Sequence, residues 1–131
     1  MGHGRLEGIM TNRRTQGSQG EALARTLLET KGFRFVGSNY YCRWGELDLI
    51  MLDQNTLVFV EVRMRRSERF GTAMESITRT KQSRLMRSAQ DYLLHHPHAG
   101  PLRFDVVGIL MAAGMTRTQH LENAIESSSF M

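Results

Sequence analysis

Cysteine is nearly absent: Cys42 is the one thiol in 131 residues. No intramolecular disulfide can form, and a cysteine-based zinc site would lack its ligands. A reducing compartment, the cytoplasm, is the natural expectation. Proline is scarce too, and the two that occur, Pro97 and Pro101, fall close together where they end a helix. No apolar run is long enough to cross a bilayer. The longest, Val106 to Met115, is short and broken by Gly108 and Gly114. The pair Arg13-Arg14 precedes Thr, Gln, Gly and Ser rather than an apolar stretch, which argues against a twin-arginine signal. A glycine-rich phosphate loop, a nucleophile elbow and a His-Glu zinc motif are all missing as well. Disulfide scaffolds, membrane spans and several common catalytic frameworks are thereby set aside.

What remains is one domain's worth of chain, with 40% hydrophobic and 23% charged residues, the balance of a globular protein. Residues 1–14 carry no pattern and read as a flexible N-terminal arm; residues 15–131 read as a single domain. The net charge of +4 is modest, but its placement is not even. Between Arg63 and Arg87 eight basic residues stand against only Glu68 and Glu75. Such a local excess suits a polyanion, although a solvated face would look the same.

Hydrophobic periodicity predicts a helix over about 18–31, with Gly20, Leu23, Ala24, Leu27 and Leu28 on one face and Gly32 as its stop. Strands are expected over 33–41, 46–53, 56–65 and 102–111, and a second helix over 78–96. The tail from Thr116 reads as weak helix or coil. The order α-β-β-β-α-β implies a mixed central sheet flanked by helices, an α/β fold.

Chemistry concentrates on the second and third strands. With Gln54-Asn55 as a two-residue turn, opposed residue numbers sum to 109, so Asp48 opposes Glu61 and Glu46 opposes Arg63. Two carboxylates side by side repel one another. A raised pKa, a basic neighbour or a divalent cation must offset this. Oxygen ligands alone favour Mg²⁺ or Mn²⁺ over zinc. Arg63 shares the strand face of Glu61 and could stabilise charge on a phosphate; a salt bridge to Glu46 is its ordinary alternative.

Several stretches together carry a resemblance. They are Gly45-Glu-Leu-Asp-Leu-Ile, Leu57-Val-Phe-Val-Glu-Val-Arg-Met-Arg, Phe70-Gly and Arg103-Phe-Asp-Val-Val. Over roughly residues 15–126 the chain resembles the YraN-like family of small bacterial proteins of uncharacterised function. That family is similar to the PD-(D/E)XK, restriction-endonuclease-like superfamily and to archaeal Holliday-junction resolvases. The resemblance implies a restriction-endonuclease-like fold. It also implies that Asp48 and Glu61 are metal ligands, with the Val62 carbonyl as a third. Glu21, on the first helix, stands where an acid often completes such sites. Arg63 stands where the superfamily usually has a catalytic lysine, and an arginine cannot give up its proton as a lysine can. Lys81, on the inward side of the second helix, is a candidate substitute.

The expectation is therefore a Mg²⁺- or Mn²⁺-dependent deoxyribonuclease that hydrolyses phosphodiesters. Its catalytic set would be Glu21, Asp48, Glu61 and Arg63, with Arg65, Arg66, Arg69, Lys81, Arg84 and Arg87 binding nucleic acid, DNA in particular. The alternative is a catalytically silent nucleic-acid-binding or interaction module on the same fold. No membrane partner is expected, and a homodimer would ease cutting of two strands. Tyr40, Tyr41 and Trp44 could stack on bases or pack on the sheet. His95, His96 and His98 look like a metal cluster but sit at a helix end, where dipole complementation or exposure is the plainer reading. Asp105 lies mid-strand without an assigned role.

Overall fold

The structure, a computed structural model, describes residues 12–69 and 71–125. Helix α1 (Asn12–Thr30) is followed by strands β1 (Arg34–Cys42), β2 (Gly45–Asp53) and β3 (Thr56–Arg65). A short 3₁₀ turn (Met74–Ser76) leads into helix α2 (Arg79–His95), then strands β4 (Leu102–Ala112) and β5 (Met115–Leu121). The five strands lie in sequence order in one sheet. All neighbours are antiparallel except β3 and β4, which are parallel and joined through α2. A parallel pair needs a crossover of this kind, because a hairpin can only reverse direction.

Each face of the sheet is covered by one helix. Ala24 and Leu28 of α1 pack on Leu49, Met51, Val58, Val60, Val107 and Ile109. Leu85, Ala89 and Tyr92 of α2 pack on Leu47, Ile50, Leu57, Phe59, Phe104 and Val106. The strands at the centre are buried on both faces, which is why β3 and β4 read as near-continuous apolar runs. Burying each such side chain is worth about 1.5–3 kcal/mol. Gly20 faces the sheet, where a Cβ would make ordinary contacts, the nearest 3.4 Å from Met64 Cε. The α2 start is capped as a threonine usually caps, with Thr78 Oγ1 accepting from Lys81 N–H at 3.1 Å.

The α/β order is present with one addition. The tail expected to be helix or coil is β5, folded back on β4 through Ala113 (φ 53°) and Gly114 (φ 73°). Two positive-φ residues in succession suit a tight hairpin. Most of β5 is exposed, so it carries little of the apolar signal that marks a strand. Helix α1 begins at Asn12, inside the expected arm; residues 1–11 lie outside the described residues. Among the described residues no helix is long and apolar enough to cross a membrane.

Asp105, fully buried, is answered at every side. Arg103 grips it with two N–H groups (2.8 and 3.0 Å), His120 Nε2 lies 2.7 Å away, and Asn123 N–H donates at 2.9 Å. Arg103 also donates to Asp53 at 3.0 Å. A buried acid so fully partnered fixes β4 against β5 and is structural.

Gly108 lets β4 lie close to the 71–78 loop: a Cβ there would lie 2.8 Å from Ala73 Cβ. Gly108→Ala should therefore cost about 1–3 kcal/mol of stability as an overpacked core does. Urea unfolding would read this as a lower midpoint, and an unchanged midpoint would show that the 71–78 loop yields freely.

Candidate functional site

Strands β2 and β3 pair with the expected sum of 109, from Asp53↔Thr56 through Leu49↔Val60. The pairing stops there, one residue short of Asp48 and Glu61. The alternation of β2 slips at the same point. Leu47 packs on the α2 side and Leu49 on the α1 side, although two residues apart should share a face. The neighbouring strand slips with it. Ser38 pairs with Leu49 and Tyr40 with Leu47, while Asn39 between them takes φ 54°. Asparagine tolerates that left-handed conformation better than most residues. Asn39 and Asp48 thus form a swivel at which both strands turn over.

The swivel turns Asp48 toward the gap between the strands. Its Oδ2 accepts the Val62 N–H at 2.9 Å, a backbone group that a straight β2 would have paired. Glu21 from α1 and Glu46 from β2 meet it there. Oxygen atoms of Glu21, Glu46 and Asp48 all lie within 4.8 Å of one another. Glu61 stands alongside, 4% exposed, and its Oε1 is buried without a hydrogen-bond donor. Burial, and then the Glu61 carboxylate beside it, push Asp48 far above the ordinary carboxylate range, to about 8. Glu21 is raised too, by its burial first and then by Glu46 and Glu61, against a hydrogen bond from Asn39 that lowers it.

Four acids at one place cannot all be ionised cheaply. Two ionised carboxylates can only accept, so Glu61 Oε1 gains a partner when Asp48 carries a proton or when a cation lies between them. An all-oxygen donor set, partly buried and short of donors, fits Mg²⁺ or Mn²⁺. Glu46 was absent from the expected site and paired instead with Arg63. The structure corrects this: Arg63 turns to Glu61 Oε2 (3.5 Å) and donates to Ser76 through Nε (3.0 Å) and NH2 (3.4 Å). Once β2 leaves β3, Glu46 has no reason to face Arg63. The alternation Gly45-Glu-x-Asp was the available signal for Glu46. The swivel residue Asn39 had none.

Two cations flank the acids. Arg63 is one, tied to Ser76 as described. The other is Lys81, whose Nζ is 3.7 Å from Glu61 Oε2 and whose side chain is 40% exposed. The remaining basic residues divide. Arg65 is a loop clasp: it donates to the Gly71 carbonyl and lies 3.7 Å from Glu68. Arg66, Arg69, Arg84 and Arg87 are exposed. The histidines do not gather. His95 Nδ1 is 3.0 Å from the Asp91 carbonyl, His96 stacks on Tyr92, and His98 Nε2 reaches the Asn55 carbonyl at 2.9 Å.

The sequence matches the family described as uncharacterised protein family UPF0102 over residues 20–109. It is 48% identical to a UPF0102 protein of Nitrosococcus oceani, across 88% of this chain and 95% of the relative. Against a UPF0102 protein of Nitrosomonas europaea the identity is 43%, across 91% of this chain and all of the relative. A third, from Pelotomaculum thermopropionicum, is 45% identical across 86% and 96%.

The raised Asp48 has a consequence for stability. In the unfolded chain it ionises near pH 4, and in the metal-free fold it holds its proton to about 8. Between those values the folded state binds more protons, so this group's contribution to stability falls as pH rises. Asp48→Asn cannot ionise and lacks that fall. Urea midpoints taken in chelator at pH 5 and pH 8 should therefore drop more for the wild type than for the variant. Parallel changes would place the Asp48 charge outside the linkage.

Proposed function

The chain belongs to the uncharacterised protein family UPF0102, and from its site we propose a metal-dependent endonuclease that hydrolyses phosphodiesters in DNA. The observation that carries the reading is the convergence of Glu21, Glu46, Asp48 and Glu61 beneath Lys81 and Arg63. Buried acids without enough donors are costly in a fold unless they hold something. Basic groups at the same place suit an anionic substrate.

Asp48, Glu21 and Glu46 would hold a divalent cation, with Glu61 completing the set. When bound, such an ion polarises a phosphoryl oxygen and makes water a better nucleophile. Arg63, held by Ser76 and Glu61, presents a fixed positive charge to a non-bridging phosphate oxygen. The reaction adds water to phosphorus and breaks one P–O ester bond. A proton must leave the water, and one must reach the departing oxygen. Of the two cations only a lysine amine can carry a proton on and off, so Lys81 takes the part usually given to a strand lysine.

A second reading, a binding module without turnover, is favoured by one observation: the position after Glu61-Val62 holds Arg63, tied down by Ser76. Variants separate the two. On the nuclease reading Asp48→Asn abolishes Mn²⁺-dependent cleavage while DNA binding stays equal or tightens. Lys81→Met lowers the cleavage rate about 100-fold or more, the usual effect of losing a general acid or base. Arg63→Lys preserves activity or raises it. Cleavage untouched by Asp48→Asn would sink the residue assignment. Salt-sensitive binding with no cleavage by the wild type or by Arg63→Lys would establish the second reading.

Binding itself has a signature. With Arg66, Arg69, Arg84 and Arg87 on phosphates, log affinity for duplex DNA should fall with log salt at a slope of about 3 to 4, near 0.9 per phosphate neutralised. A flat dependence, measured by anisotropy, would mean that the basic excess is only solvated surface.

A further inference from the structure

Beside the acids lies a second feature that their chemistry does not use. The β1–β2 turn, Arg43-Trp44, faces the exposed side of α2 across a groove of about 490 Å³. Trp44, Ser83, Met86, Arg87 and Leu94 line it. Trp44 is the one tryptophan of the chain and is partly exposed. Two guanidinium groups lie over its ring, those of Arg43 and Arg87, each 4.6 Å from the centroid. Leu94 is 80% exposed on the same helix. The one acid on the wall, Asp91, accepts from the Tyr40 hydroxyl and so is hydrogen-bonded within the protein.

We propose that this groove is a stacking subsite for an unpaired base of the DNA strand whose backbone passes the acid cluster. The inference rests on the nucleic-acid half of the function proposed above, and not on cleavage. Three properties point to that occupant. The volume lies within the range of small-molecule sites, 300–1,000 Å³. The wall combines an aromatic plane with cations, the pairing that single-stranded nucleic acid requires. And the helix that lines the groove also carries Lys81 of the acid site. Lys81 stands over Glu61, and Arg87 follows six residues later, about 9 Å along the axis at 1.5 Å per residue. Arg84, exposed, lies between them.

A guanidinium over a partly exposed indole is held weakly. A base has more ring to offer and can replace it. The displaced guanidinium is then available to the phosphate of the same nucleotide. A paired base presents only its edge to the surface, so the subsite selects for single-stranded or frayed DNA.

Because Trp44 is the sole tryptophan, its fluorescence reports the groove directly. The full chain is titrated in chelator with a thymidine oligonucleotide, with a duplex of equal length, and with an abasic oligomer carrying the same phosphates. The single strand should quench Trp44 strongly, and the other two weakly. By anisotropy of labelled DNA, Trp44→Ala should bind the single strand about tenfold more weakly, within the 1–3 kcal/mol that one stacked base contributes. Its affinity for duplex should be unchanged, which also shows that the variant is folded. Trp44→Phe should restore most of the loss. Duplex and single strand bound equally, without quenching and without effect of Trp44→Ala, would overturn the stacking subsite and leave the nuclease reading standing. Quenching and the Trp44→Ala loss, in a protein that cuts nothing, would support the subsite and remove the nuclease reading. Failure to bind any of the three would overturn both.

Discussion

The hydrogen bond from Val62 N–H to the Asp48 carboxylate is the contact on which the candidate site depends. In a regular antiparallel pair that N–H would be spent on the backbone of β2. Here a side chain takes its place, and the two strands are free to part. β3 continues along β4 to Arg65, while β2 stays paired with β1, Leu47 facing α2 and Leu49 facing α1. The gap this opens is where Glu21, Glu46, Asp48 and Glu61 collect. Paired one residue further, Asp48 would oppose Glu61 on one face, and the Val62 N–H would go to the backbone of β2 instead of the Asp48 carboxylate. Burying the acids together raises the cost of their charge, and that cost is the physical argument for a cation.

The basic residues fall into two groups with different work. Arg63 and Arg65 are partly buried and tied to the 67–76 loop, through Ser76 and Gly71. They hold the loop against the sheet as much as they offer charge. Lys81, Arg84 and Arg87 follow one another along α2 and lead from the acids to Trp44. A polyanion would meet the second group first. Net charge says little about this division, since burial and hydrogen bonding decide which cations remain available.

Most of the fold was legible because its signals are local. The β2–β3 hairpin register follows from a two-residue turn and period-2 alternation, and all five pairs of that hairpin have the expected sum. Helix α2 announces itself by Thr78 at its start and Pro97 after its end. Strand β5 was missed because an exposed edge strand has little apolar pattern to read. The pairing of Glu46 with Arg63 was misread because alternation was extended through a point where the strands separate. Nothing in the residues alone marks that point. Asp48 sits between two leucines, and Asn39 lies in another strand.

The sequence by itself determined which residue types face the core, where the chain turns, and that acids and a basic stretch would lie on neighbouring strands and the helix after them. These are consequences of side-chain chemistry and of spacing along one element. Only the tertiary structure decided the rest: that Glu21 on α1 meets Glu46 and Asp48, that Lys81 reaches Glu61, and that Arg87 lies over Trp44. Each joins residues distant in sequence, and the meeting of Glu21, Glu46 and Asp48 depends also on where two strands stop pairing. Local pattern fixes what a strand offers; where two strands stop pairing is set by the competition between backbone and side-chain hydrogen bonds in the packed sheet.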